Sequence, residues 1–153
     1  MTKSIILTFL ALIGVFFLIV SQFFIPVVNK LISGSIIFLL PFVIFFILGI
    51  VLIFLTLKQK IDGILKRFLM LTGASATGFF VFVFLHNMFY ALGIVTNEIP
   101  ILSFIMVFSH VACFMIAIFI CPLVFVIGAM GSIIVFINKE KKYCSLKIFL
   151  KRI

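Results

Sequence analysis

Two histidines are the residues of this chain whose chemistry differs most from their surroundings. His86 lies beside Asn87 and close to Tyr90 in one long apolar run, and His110 lies near the start of the next. At 100° per residue, each histidine falls near the small residues of its own run, so both should point toward the contact between the two runs. Ionisable groups in long apolar helices usually face the protein interior and often mark functional sites.

The two imidazoles are compatible with several kinds of chemistry. A bis-histidine haem needs two imidazoles on facing helices, and a quinone pocket would use the same polar groups. A metal site would need further ligands, for which Glu98, Cys113 or Tyr90 are available, but no motif spacing indicates one. The simplest interpretation is a hydrogen-bonded cap, because buried polar groups need partners whatever their role. We therefore predict no metal site and no cofactor. The candidate polar cluster consists of His86, Asn87, Tyr90 and His110.

These residues belong to a chain built mostly of apolar runs. Of its 153 residues, 67% are hydrophobic and 10% are charged, and the mean hydropathy is +1.58. A soluble domain is about half apolar and a quarter charged, so we expect an all-α integral membrane protein. A spanning helix needs about 20 apolar residues, and four runs reach this length within a transmembrane domain of residues 1–138. The predicted spans are about 4–28, 31–57, 68–95 and 111–137.

The last apolar run, Ile101 to Ile137, is too long for one straight span. Its 37 residues would form a helix of about 55 Å, whereas the hydrocarbon core is about 30 Å thick. We therefore expect Ile101–Ser109 to be an interfacial segment or a helical turn outside the membrane. The span would then be Val111–Ile137, with a kink at Pro122.

Basic residues predict the orientation of the spans. Lys3, four residues between the second and third runs, and six residues in the tail make eleven on one side, whereas the other side has only Lys30. Lys and Arg are retained in the cytoplasm. We therefore expect an up-down-up-down four-helix bundle in the cell membrane, with both termini cytoplasmic. The same rule explains the net charge of +9 without a nucleic-acid partner.

Small residues cluster in the third and fourth spans at spacings that suit close packing. Each cluster contains small residues four positions apart, an arrangement that lets helix backbones approach closely in lipid. In antiparallel neighbours both clusters would lie at one depth, about 8–15 Å below the cytoplasmic interface. We predict that spans three and four pack together there. The predicted packing residues are Gly73, Ala74, Gly78, Gly128 and Ser132.

The tail, residues 139–153, is basic and has its own periodicity. Its apolar residues follow an i, i+3, i+4, i+7 pattern from Leu146 to Ile153. This pattern favours a short amphipathic helix on the inner leaflet, and a frayed, solvated tail is the alternative. Basic side chains next to a membrane bind anionic lipid. The predicted lipid-facing residues are Lys141, Lys142, Lys147, Lys151 and Arg152.

Three stretches of the chain carry a resemblance. They are KQKIDGILKRFL (Lys58–Leu69), GASATGFFVFVFLHNMFY (Gly73–Tyr90) and CPLVFVIGAMGSIIVFI (Cys121–Ile137). Together they resemble a group of small four-span integral membrane proteins of prokaryotes with no assigned activity. The resemblance implies a fold and a compartment only.

The sequence disfavours some functional classes and leaves three open. No Asp, Glu, Lys or Arg lies inside a span, which disfavours ion-coupled transporters. No P-loop, HExxH, GxSxG or CxxC motif occurs, so an enzyme is not expected. We expect a non-enzymatic accessory or scaffold subunit, whose partners are the lipid bilayer and other membrane subunits or a second copy of itself. The alternatives are an oligomeric channel or facilitator for a small neutral solute, and a redox subunit that uses His86 and His110.

Overall fold

The described part of the protein is a bundle of long helices. The computed structural model describes residues 3–25, 38–59, 61 and 63–150, with the side chains of residues 23, 140 and 142–150 excepted. Within these ranges the chain forms helices and no strand. The helices are α1 (Lys3–Phe24), α2 (Leu40–Lys58), α3 (Ile64–Val95), α4 (Pro100–Met115) and α5 (Cys121–Leu150), and a π-helical turn (Ile116–Ile120) joins α4 to α5.

Four helical segments of the described chain are long and apolar enough to cross a membrane. Their bounds are Lys3–Gln22, Leu40–Lys58, Ile64–Val95 and Pro100–Lys139. The prediction of an all-α protein with four candidate spans is therefore confirmed. The third helix begins four residues before the predicted span, and the predicted stretches 26–28 and 31–37 lie outside the described residues.

Local sequence signals explain where three of the helices begin. Pro41 and Pro100 each lie in the first turn of a helix, α2 and α4 respectively. Proline is tolerated there because the first N–H groups of a helix have no intrahelical partner. Gly63 precedes α3 with a φ of 78°, a left-handed conformation that glycine adopts at little cost.

The helix that contains the fourth predicted span begins before that span. Residues 101–109 belong to α4, and α4, the π-helical turn and α5 form one uninterrupted helical path with no break before the span. The only departure from α-helical geometry along this described path is the π-helical turn (Ile116–Ile120) just before Pro122. Proline has no N–H, and its ring clashes with the carbonyl four residues earlier, here Ile118. A wider π-helical turn relieves this conflict without ending the helix.

Helix α3 contacts more of its neighbours than any other helix, with α2 on one side and α4 and α5 on the other, while α1 packs against α2. Three Phe rings join α1, α2 and α5 across the bundle. Phe125 is buried and stacks on Phe16 at a centroid distance of 4.5 Å, and its centroid lies 5.2 Å from that of Phe45. In lipid such packing contacts replace the hydrophobic effect as the force that joins helices.

Candidate functional site: the histidine pair of the α3–α4 hairpin

A short turn positions the two histidine-bearing helices side by side. The backbone N–H of Thr96 donates to the Leu92 carbonyl, and that of Ile99 donates to the Thr96 carbonyl, before α4 begins at Pro100. So tight a connection makes α3 and α4 antiparallel neighbours. Gly93 lies near Met106 close to the turn, and His86 meets His110 further from it.

His86 and His110 form a reciprocal contact between the two helices. Their ring centroids lie 4.0 Å apart with an interplanar angle of 22°. Nδ1 of His86 lies 3.1 Å from the backbone oxygen of His110, and Nδ1 of His110 lies 3.3 Å from the backbone oxygen of His86. Each side chain therefore stacks on the other and also reaches the other helix's backbone.

This geometry determines where the ring protons lie. A backbone carbonyl can only accept a hydrogen bond, so Nδ1 must carry the proton in both rings. In the neutral form Nε2 of each ring then has a free lone pair. The pair forms two interhelical hydrogen bonds through Nδ1, and the Nε2 atoms take no part in them.

Of the other two residues in the predicted cluster, one joins the pair and one does not. The Tyr90 ring lies 5.2 Å from the His110 ring, and Phe114 lies 5.1 Å from His86. Asn87 instead donates from Nδ2 to the Val83 carbonyl of its own helix, 2.8 Å away. The structure therefore brings His86, Tyr90 and His110 together, and it adds Phe114, one turn after His110, which sequence reasoning missed.

A shallow cavity adjoins the pair on the side of the α3–α4 turn. Its volume is about 260 Å³, slightly below the usual range for small-molecule sites. The walls combine aromatic and aliphatic side chains with a few polar groups. The residues that line it are Phe89, Tyr90, Gly93, Ile94, Asn97, Ser103, Val107 and His110.

The arrangement of the two histidines does not fit a bis-histidine haem. Such a haem holds its iron and macrocycle between the two imidazoles, whereas the rings of His86 and His110 are in direct contact. Within the described residues, no three His, Cys, Asp or Glu side chains come close enough to share a metal ion. The contacts present are those of a hydrogen-bonded clasp between two helices.

The small residues of α3 divide between two neighbours instead of facing one. A Cβ added to Gly49 of α2 would lie 3.0 Å from the Gly73 carbonyl oxygen and 3.1 Å from the Ala76 Cβ. Gly73 therefore packs against α2, and the expectation that it faces α5 is wrong. Ala74 is exposed. Helical periodicity assigns residues to faces of one helix, but it does not tell which neighbour each face meets.

The α5 side of the predicted contact does pack closely against α3. A Cβ added to Gly128 would lie 2.6 Å from the Thr72 Oγ1 and 2.9 Å from the Thr72 backbone nitrogen. Gly78 is looser, since its Cβ would lie 3.7 Å from the Cys121 Sγ. Ser132 is buried, and its hydroxyl has no hydrogen-bond partner in the described part of the chain.

Of the predicted lipid-facing residues in the tail, the structure describes one side chain. Lys141 is exposed on α5. Helix α5 continues to Leu150, so the backbone of the tail is helical as far as it is described. The side chains of Lys142 and Lys147 lie outside the described part, as do Lys151 and Arg152 altogether.

The comparisons with known proteins give no further guide to this site. No family model matches the chain, and neither a curated protein nor a solved structure matches it. The function must therefore be argued from the geometry of the helices and their exposed surfaces.

Proposed function

We propose that the protein is a four-span accessory or scaffold subunit of the cell membrane, which assembles with other membrane subunits or with itself. The bundle is up-down-up-down with both termini in the cytoplasm. The observation that carries this proposal is the apolar surface of the α3–α4 hairpin, which continues beyond the thickness of a bilayer core. Three properties of this hairpin support the proposal: its orientation in the membrane, the depth at which it leaves the membrane core, and the exposure of its side chains.

Basic residues gather at one end of the bundle, which supports the proposed orientation. Helix α2 ends at Lys58, and α3 carries Lys66 and Arg67 in its first turn. Gly131 of α5 packs against Phe68, so Lys139 and Lys141 lie further along α5 at the same end. Lys and Arg are retained in the cytoplasm. Beside anionic inner-leaflet lipid, each is worth about 1 kcal/mol of attraction.

The histidine pair lies near the opposite boundary of the hydrocarbon core. Twenty residues separate Lys66 from His86 on α3, a rise of about 30 Å, which equals the thickness of the core. Residues 101–109 of α4 lie beyond His110, on the far side of this boundary. They extend about 14 Å further, roughly twice the thickness of one headgroup layer.

The part of the α3–α4 hairpin that extends past α1 and α2 is apolar, and its outer faces are exposed. From residue 77 to residue 112, a stretch described throughout, no residue is buried. Ile101 is 77% exposed and Phe104 is 73% exposed, yet both lie where acyl chains end. Large exposed apolar patches outside lipid mark protein interaction sites. A protein partner is therefore the expected cover for this end of the hairpin.

Tilting does not remove the mismatch between the length of the last helical segment and the thickness of the hydrocarbon core. The segment Pro100–Lys139 has 40 residues, or about 60 Å of helix, and would need a tilt of about 60° to fit a 30 Å core. Observed tilts lie between about 0 and 40°. At the largest of these tilts the segment still crosses about 46 Å, which is more than the thickness of the core, so its outer end projects beyond the core.

Photo-cross-linking in native membranes tests this proposal. A photoreactive phenylalanine analogue replaces Phe104 in one variant and Phe17 of α1, which is 66% exposed, in the matched control. We expect protein adducts from position 104 and lipid adducts from position 17. Lipid adducts alone from both positions would contradict the proposal.

A further inference from the structure

We propose that α4 pairs with α4 of a second copy of this chain through one defined apolar face. This inference rests on the proposed function, because it names the partner of the same hairpin. We call the face the α4 seam. Its residues are Ile101, Phe104, Phe108, Val111 and Met115 of α4, followed by Ile118 in the π-helical turn.

The seam has the spacing of a coiled coil and faces away from α3. Its residues within α4 follow one another at intervals of three, four, three and four positions, a 3.5-residue repeat that keeps one face toward a partner helix. On the other side of α4, Met106 and His110 contact α3. By 100° per residue, Phe104 and Phe108 each lie about 160° from Met106.

The seam offers enough area for a stable pair. Its side chains are all exposed, from 45% at Val111 to 77% at Ile101. At roughly 150–200 Å² for each fully exposed side chain, the scale of an aromatic ring, two seams expose about 1,100–1,400 Å² in total, which complete burial would remove from their surroundings. Stable interfaces begin at about 1,200 Å². Neighbouring side chains such as Ile105, also exposed, add to this area.

The seam is chemically complementary to the same seam on a second copy of the chain. A two-fold axis along the membrane normal places the same residues of two α4 helices opposite each other, so an interface of this kind must be self-complementary. The seam carries no charged residue, so pairing brings no like charges together. Its large side chains suit knobs-into-holes packing. Pairing would also shield Ile101, Phe104 and Phe108 where they extend past the acyl chains.

Cysteine cross-linking of the full chain tests the pairing. Phe104→Cys and Phe108→Cys are made separately in a Cys144→Ser background, because Cys113 and Cys121 are buried. Phe84→Cys is the matched control, since Phe84 is 62% exposed on α3 and lies off the seam. The purified protein is reconstituted in phosphatidylcholine vesicles and oxidised with copper phenanthroline. We expect at least five-fold more disulfide-linked dimer from positions 104 and 108 than from position 84.

Two outcomes would overturn the pairing. The first is no dimer at either seam position, and the second is equal dimer at position 84. The same variants in native membranes separate the two proposals. A cross-link to a different protein overturns the second copy and leaves the proposed function standing. Failure of the cysteine variants together with lipid adducts alone from the photoreactive residue at position 104 overturns both.

Discussion

His86 on α3 and His110 on α4 stack with centroids 4.0 Å apart, and each directs Nδ1 to the other's backbone carbonyl. This relationship joins two antiparallel helices through two hydrogen bonds, at the level where we propose that they leave the bilayer core. Below that level α3 also contacts α2 and α5, whereas above it the pair stabilises a hairpin in which no residue is buried. The histidines therefore hold together the part of the molecule that we propose is presented to a partner.

A double-mutant cycle should detect this coupling. His86→Ala and His110→Ala each remove one side-chain donor and the stacked ring. Interhelical hydrogen bonds in membranes average about 0.6 kcal/mol and reach about 1.7, so each single variant should lose about this much with its own bond to a backbone carbonyl. Those losses add in the double variant, because alanine keeps its carbonyl. The coupling free energy comes from the two stacked rings and should be about 0.5–1.5 kcal/mol. Unfolding in mixed detergent micelles measures it. Additive losses in the double variant would show that the two side chains do not interact.

The tautomers of the two histidines are a second expected result. Because both Nδ1 atoms face carbonyl oxygens, both rings should carry the Nδ1–H proton at neutral pH. Nitrogen-15 NMR of protein labelled at histidine distinguishes Nδ1–H from Nε2–H directly. With two histidines in the chain, His86→Ala assigns the signals. An Nε2–H tautomer at either position in the unmodified protein would be incompatible with the reciprocal bonds.

The close contact at Gly128 should be intolerant of a methyl group. In Gly128→Ala the new Cβ would meet Thr72 Oγ1 at 2.6 Å and the Thr72 backbone nitrogen at 2.9 Å. Overpacking of this kind costs about 1–3 kcal/mol, and the backbone nitrogen cannot move aside cheaply. Thermal unfolding in detergent measures the loss. Gly78→Ala is the matched control and should lose no stability, because its Cβ would have ordinary contacts and alanine suits a helix interior better than glycine. Equal losses in both variants would refute the tight contact.

Removing the central aromatic ring should loosen the bundle. Phe125 is buried and stacks on Phe16, so Phe125→Ala leaves a cavity between three helices. At about 24 cal/mol per Å³, a cavity of roughly 100 Å³ costs about 2.4 kcal/mol. Phe119, which is exposed on the same helical path, gives the control Phe119→Ala. We expect a lower unfolding temperature in detergent for Phe125→Ala alone, and similar temperatures for both variants would place the core elsewhere.

Much of the fold could be predicted from the sequence because apolar runs and basic gaps determine spanning segments directly. Which helix packs against which face of its neighbour could not be predicted from the sequence. Gly73 packs on Gly49 of α2 and not on α5, and a lone glycine in an apolar run gives no signal of such a contact. The uninterrupted helix through residues 101–109 was also missed, because length alone suggested a break and a π-helical turn leaves no clear sequence mark.

The candidate site was easier to predict than the packing. Two histidines in an apolar chain have few ways to satisfy their polar atoms, and helical phase directs both toward the same contact. Which atoms they use could not be predicted, because a side chain that reaches a backbone carbonyl on the other helix depends on how closely the helices approach. Phe114 joins the site only through that approach.

The central claim is that the α3–α4 hairpin is an assembly surface. The most direct measurement is native mass spectrometry of the chain extracted from its own membranes in the mildest detergent that releases it. We predict a mass of at least two subunits, whether two copies or one copy with another membrane protein, which falls to one chain when Ile101 and Phe104 are both changed to Ser. A single chain of 17.3 kDa carrying only lipid, before any substitution, would contradict the account.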